Sequence, residues 1–357
     1  MRTTLLMALV AIAFVGCGGN DEAEPAPETT PAASEADLGA IKDYLLSHSA
    51  TLREHTAALA TDAEAYHAVA EEAGFDYERV LADERVAGLI ERMQATFREA
   101  NPAYEEMEGV VAGVPSLADF DVIIDAGADK SDPENAVPFS IETPAGKTYE
   151  QPGNFFFLLE TSLWGTEEQF AAKSVEPDLD GDGKVTFGEA LPDADFLVAA
   201  ARDFAGQADE LDAAARDWEP TPQDAFTALV VMTPTMSEYF EAWKSSRFVA
   251  GADAEESSFV AASRLQDIAD ILGGLVLVYE NVEPAIAEDD PQQAQQTGSE
   301  LKELESFAAG LREKEADGRK FTAREADTLG SEAQDRAEAI AGQVSQAAGR
   351  LGITLEN

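Results

Sequence analysis

The sequence predicts a mostly α-helical protein built as two packed antiparallel helical bundles with few or no strands. Three observations predict it. Apolar residues recur at helical spacing through long stretches of the 357-residue chain. Short breakers containing Pro, Gly or Asp separate those stretches. Alternating apolar and polar runs, the mark of half-buried strands, are sparse, so a bundle architecture follows.

Met1–Gly16 has one positive charge, Arg2, and a short apolar run, Leu5–Val15, which together read as a secretion signal too short to span a bilayer. The run ends at Phe14-Val15-Gly16-Cys17, close to a bacterial lipobox. Cys17 is the only cysteine, so an internal disulfide is excluded and lipidation is the expected use. Gly18–Asp37 is rich in Pro, Ala, Glu and Thr with little to bury, and reads as a tether from Cys17 to the domain. The expected location is therefore the bacterial cell envelope, lipid-anchored and facing the periplasm or the exterior.

Leu38–Ala73 is expected to form one long helix, with Ile41, Leu45, Leu52 and Leu59 on its apolar side. All three histidines, His48, His55 and His67, lie on it. Tyr77–Ala100 reads as a second helix ending at Pro102, and Pro102–Val111 as a third. Gly113–Gly153 lacks helical period and reads as a long ordered loop with strands near Val122–Ile124 and Phe139–Ile141. A helix over Phe155–Gly165 follows, then another over Asp195–Trp218. Glu219-Pro220-Thr221-Pro222 marks the boundary between an N-terminal half, 38–218, and a C-terminal half, 219–357. Ala225–Trp243 should be helical with a kink at Pro234. Phe259–Val282 is the most apolar helix, and its Gly273-Gly274 pair predicts close approach of another helix. Pro284–Thr297 reads as a polar loop, and Ser299–Lys314 and Thr322–Leu351 close the bundle. Thr322 and Glu325 have capping-box spacing.

Within this frame, Asp178–Glu189 is a separate signal. Asp178, Asp180, Asp182, Gly183, Lys184, Thr186 and Glu189 occupy positions 1, 3, 5, 6, 7, 9 and 12 of a calcium-loop pattern. Side-chain oxygens, the Lys184 carbonyl and a final Glu would converge on one Ca²⁺. Gly183 permits the sharp turn, and Val185 fills the apolar position. Pro177 and Pro192 argue against two long flanking helices, so the expected role is a structural clip. The alternative is a solvated acidic loop.

The composition excludes some partners. The chain has 70 acidic and 24 basic residues, a net charge of −46. Nucleic acid and anionic surfaces are repelled, and cations are concentrated nearby. A solvated surface suited to a saline environment is a sufficient reason for that charge. Phosphate loops, nucleophile elbows, Cys pairs and His-x-x-x-His pairs are absent from the sequence.

The helix Phe155–Gly165 resembles the signature helix of the imelysin-like family (peptidase M75), which includes periplasmic iron-uptake lipoproteins of the EfeO/EfeM type. That signature reads G-x-H-x-x-E and then L-[WF]-G. Glu160, Leu163, Trp164 and Gly165 match it, but Phe157 stands in the His position and Phe155 in that of the first Gly. Tyr104-Glu105-Glu106-Met107-Glu108, Asp121 and Asp125, Ser257–Glu283 and Leu351–Leu355 are similar to further family segments in the same order. The resemblance implies a helical fold with a metal site between bundles. It would rest here on Glu108 and Glu160, with Asp125, and His48 and His55, which share a helix face because they are seven residues apart, could supply the imidazole lost at Phe157. Three functions remain open: a metal-binding lipoprotein in iron or other cation uptake, with uptake partner proteins; a non-catalytic scaffold whose only metal is calcium; and a metallopeptidase, which the missing His weakens.

Overall fold

The computed structural model describes residues 36–172 and 175–356. The signal, Cys17 and the tether up to residue 35 lie outside the described residues, and Asp37, placed in the tether by the sequence, belongs to the fold. The fold is mostly α, as expected, with one two-stranded antiparallel sheet among the described residues.

Helix α1 (Leu38–Glu72) is capped by Asp37, whose side chain accepts from the Ala40 N–H. Its buried stripe of Ile41, Leu45, Leu52, Leu59, Ala63 and Tyr66 packs on α3 and α6. A short α2 (Tyr77–Leu81) leads to α3 (Val86–Val111). Contrary to the sequence expectation, Pro102 does not divide α3. Met93, Phe97 and Ala100 before it, and Tyr104, Met107 and Val111 after it, form one continuous buried stripe. Burial of that stripe against α1 and α10 outweighs the backbone bond that a proline removes.

The stretch after α3 is also more ordered than a loop. It holds α4 (Ala118–Asp121) and then a π-turn over Val122–Ala126, where a strand was expected. Strand β1 (Ser140–Glu142) pairs antiparallel with β2 (Thr148–Glu150), so the expected strand near Phe139–Ile141 is present, shifted by one residue. Helix α5 (Phe155–Trp164) starts at Asn154, which caps the Phe157 N–H, and ends at Gly165 in the left-handed conformation.

Helix α6 (Ala194–Asp217) completes the first group of helices. The second group contains α7 (Pro222–Met232), α8 (Met236–Ser245), the short α9 (Arg247–Ala250), α10 (Arg264–Asp289), α11 (Pro291–Ala316) and α12 (Ala323–Leu351). The expected kink at Pro234 separates α7 from α8 through a 3₁₀ turn at Thr233–Thr235. The expected capping box at Thr322 and Glu325 is present. Two boundaries differ. Phe259, with φ +52°, lies outside α10, which starts at Arg264 behind the Ser263 cap and runs through Pro284 to Asp289. The true stop is Asp290, which caps α11 ahead of Pro291.

The buried side chains of both groups form one continuous core, joined where α3 meets α10. Gly274 explains how closely they meet. A Cβ there would lie 2.2 Å from the Glu106 carbonyl oxygen. Gly273, beside it, faces open space.

Candidate functional site

The α3–α10 contact, with α4, α5 and α8, borders a half-open cavity of about 660 Å³. Glu108 reaches it from α3, Asp121 and Asp125 from α4 and the π-turn, Phe157 from α5, Tyr239 from α8, and Arg264 from the first turn of α10. The local structure makes these placements. The i, i+3 spacing of Glu105 and Glu108 puts both on one side of α3. The π-turn redirects the chain so that Asp125 faces them, and Asn154 fixes that turn by donating to the Asp125 and Gly127 carbonyls.

The result is a buried carboxylate cluster around one guanidinium. Arg264 is 5% exposed. It lies 3.1 Å from Asp267, and 3.6 Å from both Glu105 and Asp125. Its plane is held between the rings of Tyr239 and Phe259, each 4.5 Å away. Tyr239 donates to Glu108 Oε1 at 2.7 Å, Asn101 to Glu105 Oε1 at 2.8 Å, and Tyr104 to Asp121 at 2.7 Å. The second oxygens, Glu108 Oε2 and Glu105 Oε2, are buried without any hydrogen-bond partner, as is Asp267 Oδ1.

One arginine cannot balance these acids. Burial, reinforced by Asp125, pushes Glu108 up to about 7 against the opposing pull of Arg264. Burial also raises Glu105 and Asp121 well above the usual range and Asp267 to about 6. Single oxygens from Glu105, Glu108 and Asp125 lie within 4.8 Å of one another. That separation is the span across a cation held by oxygens at about 2.4 Å. The unpartnered oxygens therefore fit a hard cation, and the donor set is oxygen throughout.

Glu160 does something other than the sequence suggests. Its two oxygens accept the N–H groups of Phe259, Val260 and Ala261 at 2.6, 2.8 and 2.7 Å. Burial raises its pKa to about 7, against the lowering effect of those three bonds. With three N–H groups on its two oxygens, Glu160 is a latch for the 259–261 segment, and it is not among the acids whose oxygens converge with Glu105, Glu108 and Asp125. The histidines also lie elsewhere. His48 pairs with Glu106 at 2.9 Å, His55 with Glu99 at 3.5 Å and His67 with Asp195 at 2.9 Å. None lines the cavity, so His48 and His55 do not replace the imidazole missing at Phe157. Sequence reasoning missed Glu105, Asp267 and Arg264. Their signal was the i, i+3 spacing of acids, or of acid and base, at helical positions that the apolar pattern buries.

The Asp178–Glu189 loop is exposed, with no helix directly on either side. Oxygens of Asp178, Asp180 and Asp182 lie within 4.8 Å of one another. Gly183 has φ +85°, at the turn where the pattern places glycine. Asp178 accepts from the Gly181, Asp182 and Gly183 N–H groups. Glu189 accepts from the Thr186 N–H and hydroxyl and from the Leu179 and Asp180 N–H groups, which hold its carboxyl down at about 2. Val185 is 48% exposed, so it plugs nothing. Without flanking helices there is no apolar surface for it to meet.

The sequence profile of the imelysin family, peptidase M75, matches residues 41–344. The chain belongs to the imelysin family. The match runs through the carboxylate cluster, the α5 latch and the Asp178–Glu189 loop of this imelysin. Among curated proteins no relative matches. Among the described residues no helix is long and apolar enough to cross a membrane.

Proposed function

We propose that this imelysin-family chain is a cell-envelope lipoprotein that captures a hard metal cation, iron or another oxygen-preferring ion, for uptake. The carrying observation is the pair of buried, unpartnered oxygens on Glu105 and Glu108 beside Asp125. An isolated buried carboxylate is costly unless it is protonated or neutralised. A bound cation supplies the neutralisation, and the acids' raised proton affinities make capture proton-linked. Tyr239 and Arg264 orient the ligands by holding Glu108 Oε1, Glu105 and Asp125 in place. The absence of imidazole at Phe157 favours hard ions over zinc or copper.

A second site is part of this proposal. Calcium at Asp178, Asp180, Asp182, Thr186, Glu189 and the Lys184 carbonyl would rigidify the segment between α5 and α6. Lipidation at Cys17 would tether the domain to the membrane, where uptake partner proteins would receive the cation.

Elemental analysis and calorimetric titration of the soluble domain with Ca²⁺, Mn²⁺ and Fe³⁺ test both sites. The expected result is two separable classes of site. Glu108→Gln should abolish the Mn²⁺ and Fe³⁺ class and leave calcium binding unchanged. Calcium binding alone, with no effect of Glu108→Gln, would leave the scaffold reading in its place.

A further inference from the structure

The cavity is far larger than an ion requires. A space of about 660 Å³ is the size that encloses a small organic molecule. Beyond the carboxylates one side of its wall is aromatic and apolar, with Phe156, Phe157, Met232, Tyr239 and Phe259, and the rest carries Ser131, Asn154, Thr235 and Ser258. Asp129 and Glu238 also line it.

The protein supplies too few ligands to complete a hard cation's sphere. Glu105, Glu108 and Asp125 can each offer one oxygen to a common point. Asp121 and Glu160 lie outside that convergent set, Asp121 Oδ1 accepting from Tyr104 and Glu160 from three backbone N–H groups. A hard cation takes six or more oxygens. About half of the coordination sphere therefore faces the chamber. Along the stretch of wall formed by Phe156, Phe157, Met232 and Phe259, water would find no acceptor for its hydrogens. An organic molecule with oxygen donors at one end and an apolar body at the other satisfies both the ion and the wall. Acids at the wall repel anionic complexes and admit neutral or cationic ones.

We infer that the cavity takes its metal as a neutral or cationic chelate of a small oxygen-donor molecule with an apolar body, the carboxylates filling the open coordination positions. This rests on the metal-capture reading above. The inference assigns Phe157 and Phe259 a role in ligand selection. They contact the body of the chelator and leave the ion to the carboxylates.

The test uses the soluble domain carrying Asp178→Ala and Glu189→Ala, so that the exposed loop takes no metal. Fe³⁺ is offered with one equivalent of benzohydroxamate, a complex that is cationic and aromatic, and separately with excess citrate, whose complexes are anionic. Mn²⁺ alone reports the bare-ion site. The expected result is a ternary complex whose hydroxamate-to-iron absorption band comigrates with the protein in gel filtration, with at least tenfold tighter uptake than from citrate. Phe157→Ala should weaken uptake of the hydroxamate complex at least tenfold and change Mn²⁺ affinity less than twofold. Glu108→Gln should abolish both. If benzohydroxamate strips iron from the protein, or if Phe157→Ala binds the complex as well as the parent, the inference is overturned while Mn²⁺ binding leaves the metal site standing. If neither Mn²⁺ nor iron in either form binds, the metal-capture reading and this inference fall together.

Discussion

Glu160 shows how one residue changes meaning between sequence and structure. As a letter in a signature helix it reads as a ligand. In the fold it accepts three N–H groups of a loop with a positive φ at Phe259. Replacing it by Gln puts an NH₂ group against those donors, and hydrogen bonds to a buried charged acceptor are worth about 1.5–3 kcal/mol each. Glu160→Gln should therefore destabilise the protein by about 2–4 kcal/mol in urea unfolding and speed hydrogen exchange at Val260 and Ala261. Retained exchange protection there would show that the latch is dispensable. The same residue gives a pH dependence. Its folded pKa, about 7, lies above the ordinary carboxylate value. A raised pKa means stability that is full below the unfolded value and is lost as pH rises through the folded one. Metal-free protein should thus have a higher melting temperature near pH 5 than near pH 8, and Glu160→Gln should reduce that difference, the raised acids Glu105, Glu108, Asp121 and Asp267 keeping the remainder. Phe157 invites the converse experiment. It lines the same cavity as Glu108 and Asp125. Phe157→His should add a nitrogen donor and raise Zn²⁺ affinity more than Mn²⁺ affinity.

At the scale of elements, the helices were legible and the connection that carries a ligand was not. α1, α6 and α12 follow from apolar period and caps, because each packs one stripe against neighbours. α3 was misread because a proline is a strong local signal, whereas the burial that overrides it is tertiary. The π-turn at Val122–Ala126 was invisible for the same reason. Its apolar letters suit a strand, whereas the Gly127 N–H closes the turn on the Val122 carbonyl and Asn154 donates to the Asp125 and Gly127 carbonyls. The cluster was half-legible. Glu108 and Asp125 were found, while Arg264, Asp267 and Glu105 carried no motif. Two elements support sharp tests. Gly274→Ala forces a methyl group against the Glu106 carbonyl, which also accepts the Tyr44 hydroxyl. A shift of α10 would break the α3 contact, so a loss of about 1–3 kcal/mol is expected. A neutral result would mean that the helices separate freely. In the exposed loop, calcium at one hundred times its dissociation constant should stabilise by about 2.7 kcal/mol. The Asp178→Ala, Glu189→Ala double variant should lose that gain and match the parent in EDTA. An equal gain in the variant would place calcium elsewhere.

At the scale of the whole molecule, charge and cavity act on different steps of binding. The net charge of −46 is spread over the chain and its field reaches into solvent, where salt screens it over about 10 Å at 0.1 M. The carboxylates that would hold the ion are buried, with Glu105 and Glu108 at 0% and 3% exposure, and salt reaches such groups weakly. The outer charge should therefore set how fast a cation arrives, and the inner cluster how long it stays. Stopped-flow mixing with Mn²⁺ at rising KCl should show the association rate falling several-fold between 10 and 300 mM while the dissociation rate changes less than twofold. Glu108→Gln should abolish the long-lived complex at every salt concentration, because it removes an inner ligand and leaves the outer charge almost unchanged. A dissociation rate that climbs with salt as steeply as association falls would place the ion on the outer surface. The large negative charge would then be the binding site itself, and the cavity would have to be explained by something other than a metal.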